Sequence, residues 1–136
     1  HLHGELTKVR STTNAHLIYD WEDDCNLGDT CPKGEQLRPH IVWFGEEVPM
    51  IARAAKEVSE ADIVLIIGTS MQVYPAAGLV AHTQFGVPIY YIDPKPSINH
   101  ELQHIEKLTI VAETATKGVR KVVNQLIQVA KQQANG

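Results

Sequence analysis

Five consecutive apolar residues, Ile63 to Ile67, run without alternation into the small turn Gly68-Thr69-Ser70, and Pro75 follows where a helix can open. A strand with no polar side chain on either face is expected to be covered on both sides, the pattern of a parallel sheet between helical layers. Open sheets of that kind bind ligands in the crevice outside the carboxyl ends of their strands. Gly68, Thr69 and Ser70 stand at such an end. The glycine permits close approach, and the two hydroxyls can donate to ribose or phosphate oxygens.

The surrounding chain repeats this unit. Ile51, Ala54, Ala55 and Val58 recur at helical spacing, which predicts an amphipathic helix over Pro49 to Glu60, with the proline tolerated at its start. Pro75 to Thr83 reads as a helix of small residues, Val87 to Ile92 as a second buried strand and Leu108 to Ala112 as a third. A last helix, Thr114 to about Gln132, carries Val119, Val122, Val123, Leu126, Ile127 and Ala130 on one broad face. This is the element order of half a Rossmann-like, doubly wound α/β sheet. Right-handed crossovers would set the three strands side by side and leave one edge of the first open.

Upstream, Glu5 to Arg10 and Ala15 to Trp21 are rich in strand formers and could pair around a Ser11 to Asn14 turn. Glu22 to Gln36 is polar and punctuated by Gly28, Pro32 and Gly34, so it reads as irregular. After Arg38-Pro39 the segment His40 to Phe44 is extended. The expected division is a small module over residues 1–40 and the sheet domain over 41–136.

Composition narrows the function. Hydrophobic residues make up 43% and charged residues 21%, and the net charge of −4 includes no basic stripe, so a nucleic-acid partner is not expected. No apolar run approaches the roughly 18–20 residues that cross a bilayer, so no membrane role is expected. Nothing at the start reads as a signal peptide, and the expected compartment is the cytoplasm. No G-x-G-x-x-G phosphate loop occurs, and Ser70 is not in a G-x-S-x-G elbow.

Two strings carry a resemblance: IIGTSMQVYPAAG, from Ile66 to Gly78, and RPHIVWFGE, from Arg38 to Glu46. Through them, Leu2 to about Leu126 resembles the carboxy-terminal half of a bacterial-type sirtuin, an NAD-dependent protein-lysine deacylase. The resemblance implies that Gly68, Thr69 and Ser70 lie against the adenosine side of NAD. A second family contact, an Asn-x-Glu-like sequence, maps onto Tyr91-Ile92-Asp93, where tyrosine departs from the pattern. A third maps to Ala115, opening the last helix. The strand at 41–46 would offer its edge to an acyl-lysine peptide, which adds as a β-strand. Val42 and Phe44 would line the acyl-lysine tunnel, Gly45 and Glu46 would use backbone atoms, and Val73 with Tyr74 would form the opposite wall of a shared groove.

Sirtuins commonly carry a four-thiolate zinc ribbon. Here Ser11 and Asn14 fall where the first pair would lie, Cys31 lacks its partner, and Cys25 sits elsewhere in the loop. Two thiols cannot close a four-thiolate zinc site, so a degenerate, metal-free ribbon is expected. The count allows a disulfide, but a reducing compartment opposes it.

In the implied reaction the acyl oxygen attacks the anomeric carbon of the nicotinamide ribose, nicotinamide leaves, and a histidine base activates a ribose hydroxyl that takes the acyl group. That base belongs to a motif expected upstream of His1, and His3 is expected to be structural. The other histidines, His16, His40, His82, His100 and His104, are expected on the surface. The chain alone should therefore be inactive and need the missing amino-terminal half as a partner. Two other readings stay open: a non-catalytic peptide-binding module using the edge at 41–46, and a small nucleotide-binding α/β protein unrelated to deacylation.

Overall fold

The computed structural model describes residues 1–134. The chain divides into two units, His1 to Ile51 and Ala52 onward, so that residues 41–51 group with the amino-terminal unit.

The first unit is an antiparallel sheet of β1 (Gly4–Ser11), β2 (Ile18–Asp20) and β3 (Leu37–Ile41), in the order β2-β1-β3. Val9 lies opposite Tyr19 on one side and Pro39 on the other, and the β1–β3 register shifts between Gly4 and Val9. The ribbon expected from the sequence forms, with its second strand shortened to three residues. The extended segment expected at His40 to Phe44 lies earlier, over Leu37 to Ile41. Pro39 is accepted there because β3 is an edge strand, where a missing N–H is tolerated.

Val9, Cys31 and Leu37 make a small core, with Tyr19, Trp21 and Cys25 packed around it. Across the irregular segment the Gln36 side chain does much of the work of a strand. Its amide nitrogen donates to the carbonyls of Asn26, Asp29 and Leu37, and its oxygen accepts from the Gly28 N–H at 2.8 Å. Ser11 is buried; its hydroxyl donates to the Glu35 carboxylate and accepts from the N–H groups of Thr13 and Asn14. The Ser11 hydroxyl, followed by that of Thr13, holds the Glu35 carboxyl below the usual glutamate range by hydrogen bonding.

The second unit is a parallel sheet of β4 (Val64–Ile67), β5 (Ile89–Ile92) and β6 (Leu108–Val111), side by side in chain order. Helix α1 (Ile51–Ser59) precedes it, with Ile51, Ala54, Ala55 and Val58 half-buried as their spacing predicts. One face of the sheet is covered by the segment Ala76–His82 and by the short helix α2 (His100–Gln103). Ile66, Ile89 and Tyr91 pack there against Met71, Ala77, Val80 and Leu102. The segment Ala76–His82 winds as a 3-10 helix where an α-helix over Pro75 to Thr83 was expected. Gly78 interrupts a run of small side chains there, and glycine weakens an α-helix by about 1 kcal/mol.

Helix α3 (Ala115–Ala134) covers the other face, with Val119, Val122 and Leu126 against Tyr90, Ile92 and Val111. This departs from the sequence expectation in two ways. Val123, Ile127 and Ala130 share the apolar stripe but stay exposed. Leu65 and Ile67 of β4 are 37% and 41% exposed, so the apolar strand is covered on one face only. The reason is the helix's position over β5 and β6, and β4 pairs with β5 alone.

Candidate functional site

Parallel strands in register carry their carboxyl ends to one side of the sheet, and three of the sequence-predicted segments follow those ends. Gly68 follows β4 directly, with φ +61° and its N–H on the Ile92 carbonyl at 2.9 Å. No atom lies within 4 Å of where a Cβ would stand, so the left-handed backbone, rather than crowding, favours glycine here. Thr69 and Ser70 are exposed. The Thr69 hydroxyl accepts the Met71 N–H at 3.2 Å, which leaves its own proton available to a ligand.

Met71 turns the chain back into the core. Its φ of +56° is unusual for a non-glycine residue, and its side chain is 5% exposed. Burial of the thioether and a 3.0 Å bond from the Asn99 side chain to its carbonyl hold that conformation.

Asp93 follows β5, its N–H on the Val111 carbonyl at 3.2 Å and its Oδ1 accepting the Lys95 N–H at 2.7 Å. Ala115 opens α3 after β6 and is exposed. Tyr91 does not join them. It is completely buried, its hydroxyl donating to the Thr69 carbonyl at 2.8 Å and accepting the Ser97 N–H at 3.1 Å. Because β5 continues through Ile92, position 91 lies within the sheet, and only Asp93 reaches the crest. The loop after it, with Lys95 and Ser97, was missed as part of this crest. Its turn-forming run Asp93-Pro94-Lys95-Pro96-Ser97 at the end of a strand was the available signal.

Val73 and Tyr74 follow the crest turn in the same unit and are about half exposed. The Tyr74 hydroxyl donates to Glu101 at 2.6 Å, which lowers the carboxyl and raises the phenol. A separate cavity of about 410 Å³ includes Val87, Ile89, His100 and His104 in its lining. It sits by the amino end of β5, at the other end of the strand from Asp93.

In the first unit, the segment predicted to bind substrate is a turn held by one carboxylate. Glu46 Oε1 accepts from Arg38 Nη1 at 2.6 Å, and Oε2 accepts from Arg38 Nη2 at 3.2 Å, from Arg10 Nη2 at 3.5 Å and from the Trp43 N–H at 3.0 Å. The Glu46 N–H closes the turn on the Trp43 carbonyl at 3.1 Å, and Gly45 takes φ +86°. Val42 is half-buried with its N–H on the His3 carbonyl, whereas the Phe44 ring is 93% exposed. His40 is half-buried, not a surface residue, and its Nδ1 is enclosed without a partner. Burial pushes its pKa down, and the Arg10 charge acts in the same direction.

The Arg38 bond, followed by the Trp43 N–H, lowers the Glu46 pKa below its ordinary 4.5. A carboxyl depressed in the folded state stabilises fully above its unfolded value and loses that contribution as pH falls through the folded one. Glu46→Gln is therefore expected to melt earlier than the parent at pH 6, with the gap closing below about pH 4. Melting curves across that range check it; a gap that does not change with pH would contradict it.

The Sir2 family model matches residues 1–75, more than half of the chain. The chain belongs to the Sir2 family. A relative from Helicobacter pylori, an NAD-dependent protein deacylase, is 46% identical over 130 residues, covering 96% of this chain and 56% of that protein. One of the same description from Bacteroides thetaiotaomicron is 46% identical, covering 93% and 56%. Among solved structures, a mutant Sir2 homologue with ADP-ribose superposes with a TM-score of 0.69 at 29% identity, over 99% of this chain and 53% of that one. A Sir2 homologue–NAD complex gives 0.68 at 30% identity, over 98% and 51%. The chain thus spans about half the length of the curated Sir2 relatives it matches. No helix among the described residues is long and apolar enough to cross a membrane.

Proposed function

We propose that this chain is the carboxy-terminal portion of an NAD-dependent protein-lysine deacylase that moves an acyl group from lysine to ADP-ribose with release of nicotinamide. The observation that carries the reading is the gathering of Gly68, Thr69, Ser70, Asp93 and Ala115 at the carboxyl ends of three parallel strands. Relatives with NAD or ADP-ribose bound share this fold. NAD supplies the electrophilic sugar carbon that accepts the acyl oxygen. The residues here would bind and orient it: Thr69 and Ser70 donate from their hydroxyls, Asp93 accepts from a ribose hydroxyl, and Ala115 leaves room beside adenine.

The acyl-lysine peptide would add along the segment at 41–46. Ile41 of that segment ends β3, whose edge away from β1 pairs with no strand among the described residues, and the turn at 43–46 follows it. Val42 and Phe44 would meet the acyl-lysine stem, with the backbone of Gly45 and Glu46 beside the peptide. Val73 and Tyr74 are assigned to the same substrate. Two thiols leave this reading without a zinc site, and the Ser11–Glu35 pair holds the ribbon loop instead.

General-base chemistry needs an imidazole within about 3 Å of the proton it takes. We assign that role, and the pyrophosphate loop, to polypeptide corresponding to the half of the relatives that this chain does not span. The open edge of β4 and the bare side chains of Leu65 and Ile67 are where that polypeptide would continue the sheet. The whole enzyme would work in the cytoplasm.

Nicotinamide release from NAD and an acetyl-lysine peptide tests this. The expected result is no turnover by the 136 residues alone and turnover once the amino-terminal half of the Helicobacter pylori relative is added. Turnover by the chain alone refutes the division of labour. An assembled pair that binds the peptide but neither NAD nor ADP-ribose refutes the deacylase in favour of a peptide-binding module.

A further inference from the structure

We infer that Tyr91 is a positioning residue for the crest: its buried hydroxyl ties the Gly68-to-Met71 turn to the Pro94-to-Asn99 loop, so that a ligand on one orders the other. The functional half of this inference rests on the cofactor reading above; the mechanical half does not.

A phenol has one proton to donate and lone pairs to accept. Tyr91 uses both roles between backbones, giving its proton to the Thr69 carbonyl at 2.8 Å and accepting the Ser97 N–H at 3.1 Å. The ring cannot swing to follow either loop. It is 0% exposed and packed among Ile66, Met71, Ala77, Val80, Ile89 and Leu102. The hydroxyl is therefore a fixed point at the end of a rigid lever, anchored in the strand below.

Two other links join the same loops. Asn99 Nδ2 donates to the Met71 carbonyl at 3.0 Å, and Gln72 Nε2 donates to Ser97 Oγ at 3.0 Å. The Gln72 link is exposed, and the Asn99 side chain also caps α2 by accepting the Leu102 N–H. Tyr91 makes both of its bonds from a side chain rooted in β5 and buried in the core of the sheet. The left-handed Met71 adds the need: a turn holding a residue in that conformation persists only where its surroundings over-determine it.

Tyr91→Phe keeps the ring and deletes the oxygen, and amide hydrogen exchange reads the result in the 136-residue chain. The Ser97 amide is expected to exchange at least about fivefold faster, as for a lost hydrogen bond of ordinary strength, while the amides of β5 and β6 hold their parent rates. Tyr90→Phe, on the opposite face against α3, is expected to leave Ser97 unchanged. With the amino-terminal half of the Helicobacter pylori relative and ADP-ribose both added, the parent should gain protection at residues 69–71 and at Ser97 together, beyond any change that half causes by itself. The Tyr91→Phe chain should gain it at the turn only, with affinity about fivefold weaker. An unchanged Ser97 rate in Tyr91→Phe overturns the inference, as does a uniform rise across the unit, which would mean that the oxygen serves general stability. ADP-ribose that protects nothing in the parent assembled with that half counts against the cofactor reading, while the ligand-free rates of the chain alone still judge the brace.

Discussion

Replacing Gly4 with alanine is expected to be the most damaging single methyl group in the first unit. The new Cβ would stand 1.9 Å from the His40 carbonyl oxygen and 2.8 Å from the His40 carbonyl carbon. Those are backbone atoms of β3, so no rotamer change relieves the clash, and only separation of the two strands does. Gly4 also sits at φ +92°, where a side chain is strained even in open space. Overpacking at about 1–3 kcal/mol and the left-handed backbone at about 1–2 kcal/mol together predict a loss of about 2–5 kcal/mol.

The damage has a functional direction. Gly4 pairs with Ile41, and the neighbouring His3 carbonyl accepts the Val42 N–H at 2.9 Å, so the segment at 41–46 proposed to meet substrate loses its anchor to the first strand. Both tryptophans, Trp21 and Trp43, lie in this unit, and their fluorescence in a urea titration reads its unfolding. Gly45→Ala is the control. Its φ is +86° with nothing within 4 Å, so it is expected to lose only the backbone share, about 1–2 kcal/mol. Equal midpoints for the two variants would show that the close approach of β1 and β3 is not what selects glycine at position 4.

Gly118→Val is expected to act as strongly on the second unit. Gly118 lies on the inner face of α3, where a Cβ would stand 2.4 Å from Ile92 Cγ2 and 3.3 Å from Val111 Cγ1. Ile92 is fully buried and β-branched, so its methyl has no free rotamer to retreat to. The helix must lift from β5 and β6, at a cost of about 3 kcal/mol. Gly118→Ala meets the same first contact but gains about 1 kcal/mol of helix propensity, so it should lose less. Thermal melts followed by circular dichroism at the helix band order the three proteins. A valine variant melting with the parent would mean that α3 does not bear on the sheet through this position.

Gly118 also shows what a sequence conceals. Its neighbours Val119 and Val122 announce the buried face by their spacing, but a glycine inside a helix reads as a weakness. Only the coordinates show that the helix axis comes near the sheet because this residue has no side chain. Helix α2 was hidden differently: four residues are too few for a period, and its signals were the cap Asn99 and the single buried Leu102. The strand at 37–41 was displaced in the sequence reading because the hydrophobic string Ile41 to Phe44 invites an extended assignment. The Glu46 carboxylate, fixed by Arg38 and Arg10, bends that string into a turn instead.

The crest at the carboxyl ends of the parallel strands divides the same way. Gly68-Thr69-Ser70 was legible because a strand, a turn and a following proline are contiguous, and an unalternating apolar run already implies a parallel sheet with functional carboxyl ends. The burial of Tyr91 was not legible, because where a strand stops is set by its partners. β5 pairs through Ile92, which keeps position 91 inside the sheet, with its hydroxyl bonded to Thr69 and Ser97.

From the sequence alone came the α/β architecture, the strand order and the crest, because hydrophobic period and turn chemistry act over a few residues at a time. The tertiary structure decided which apolar surfaces are covered and which hydroxyl holds which loop. Those depend on where α3 settles over β5 and β6, and on the register between strands far apart in the chain, and local patterning specifies neither.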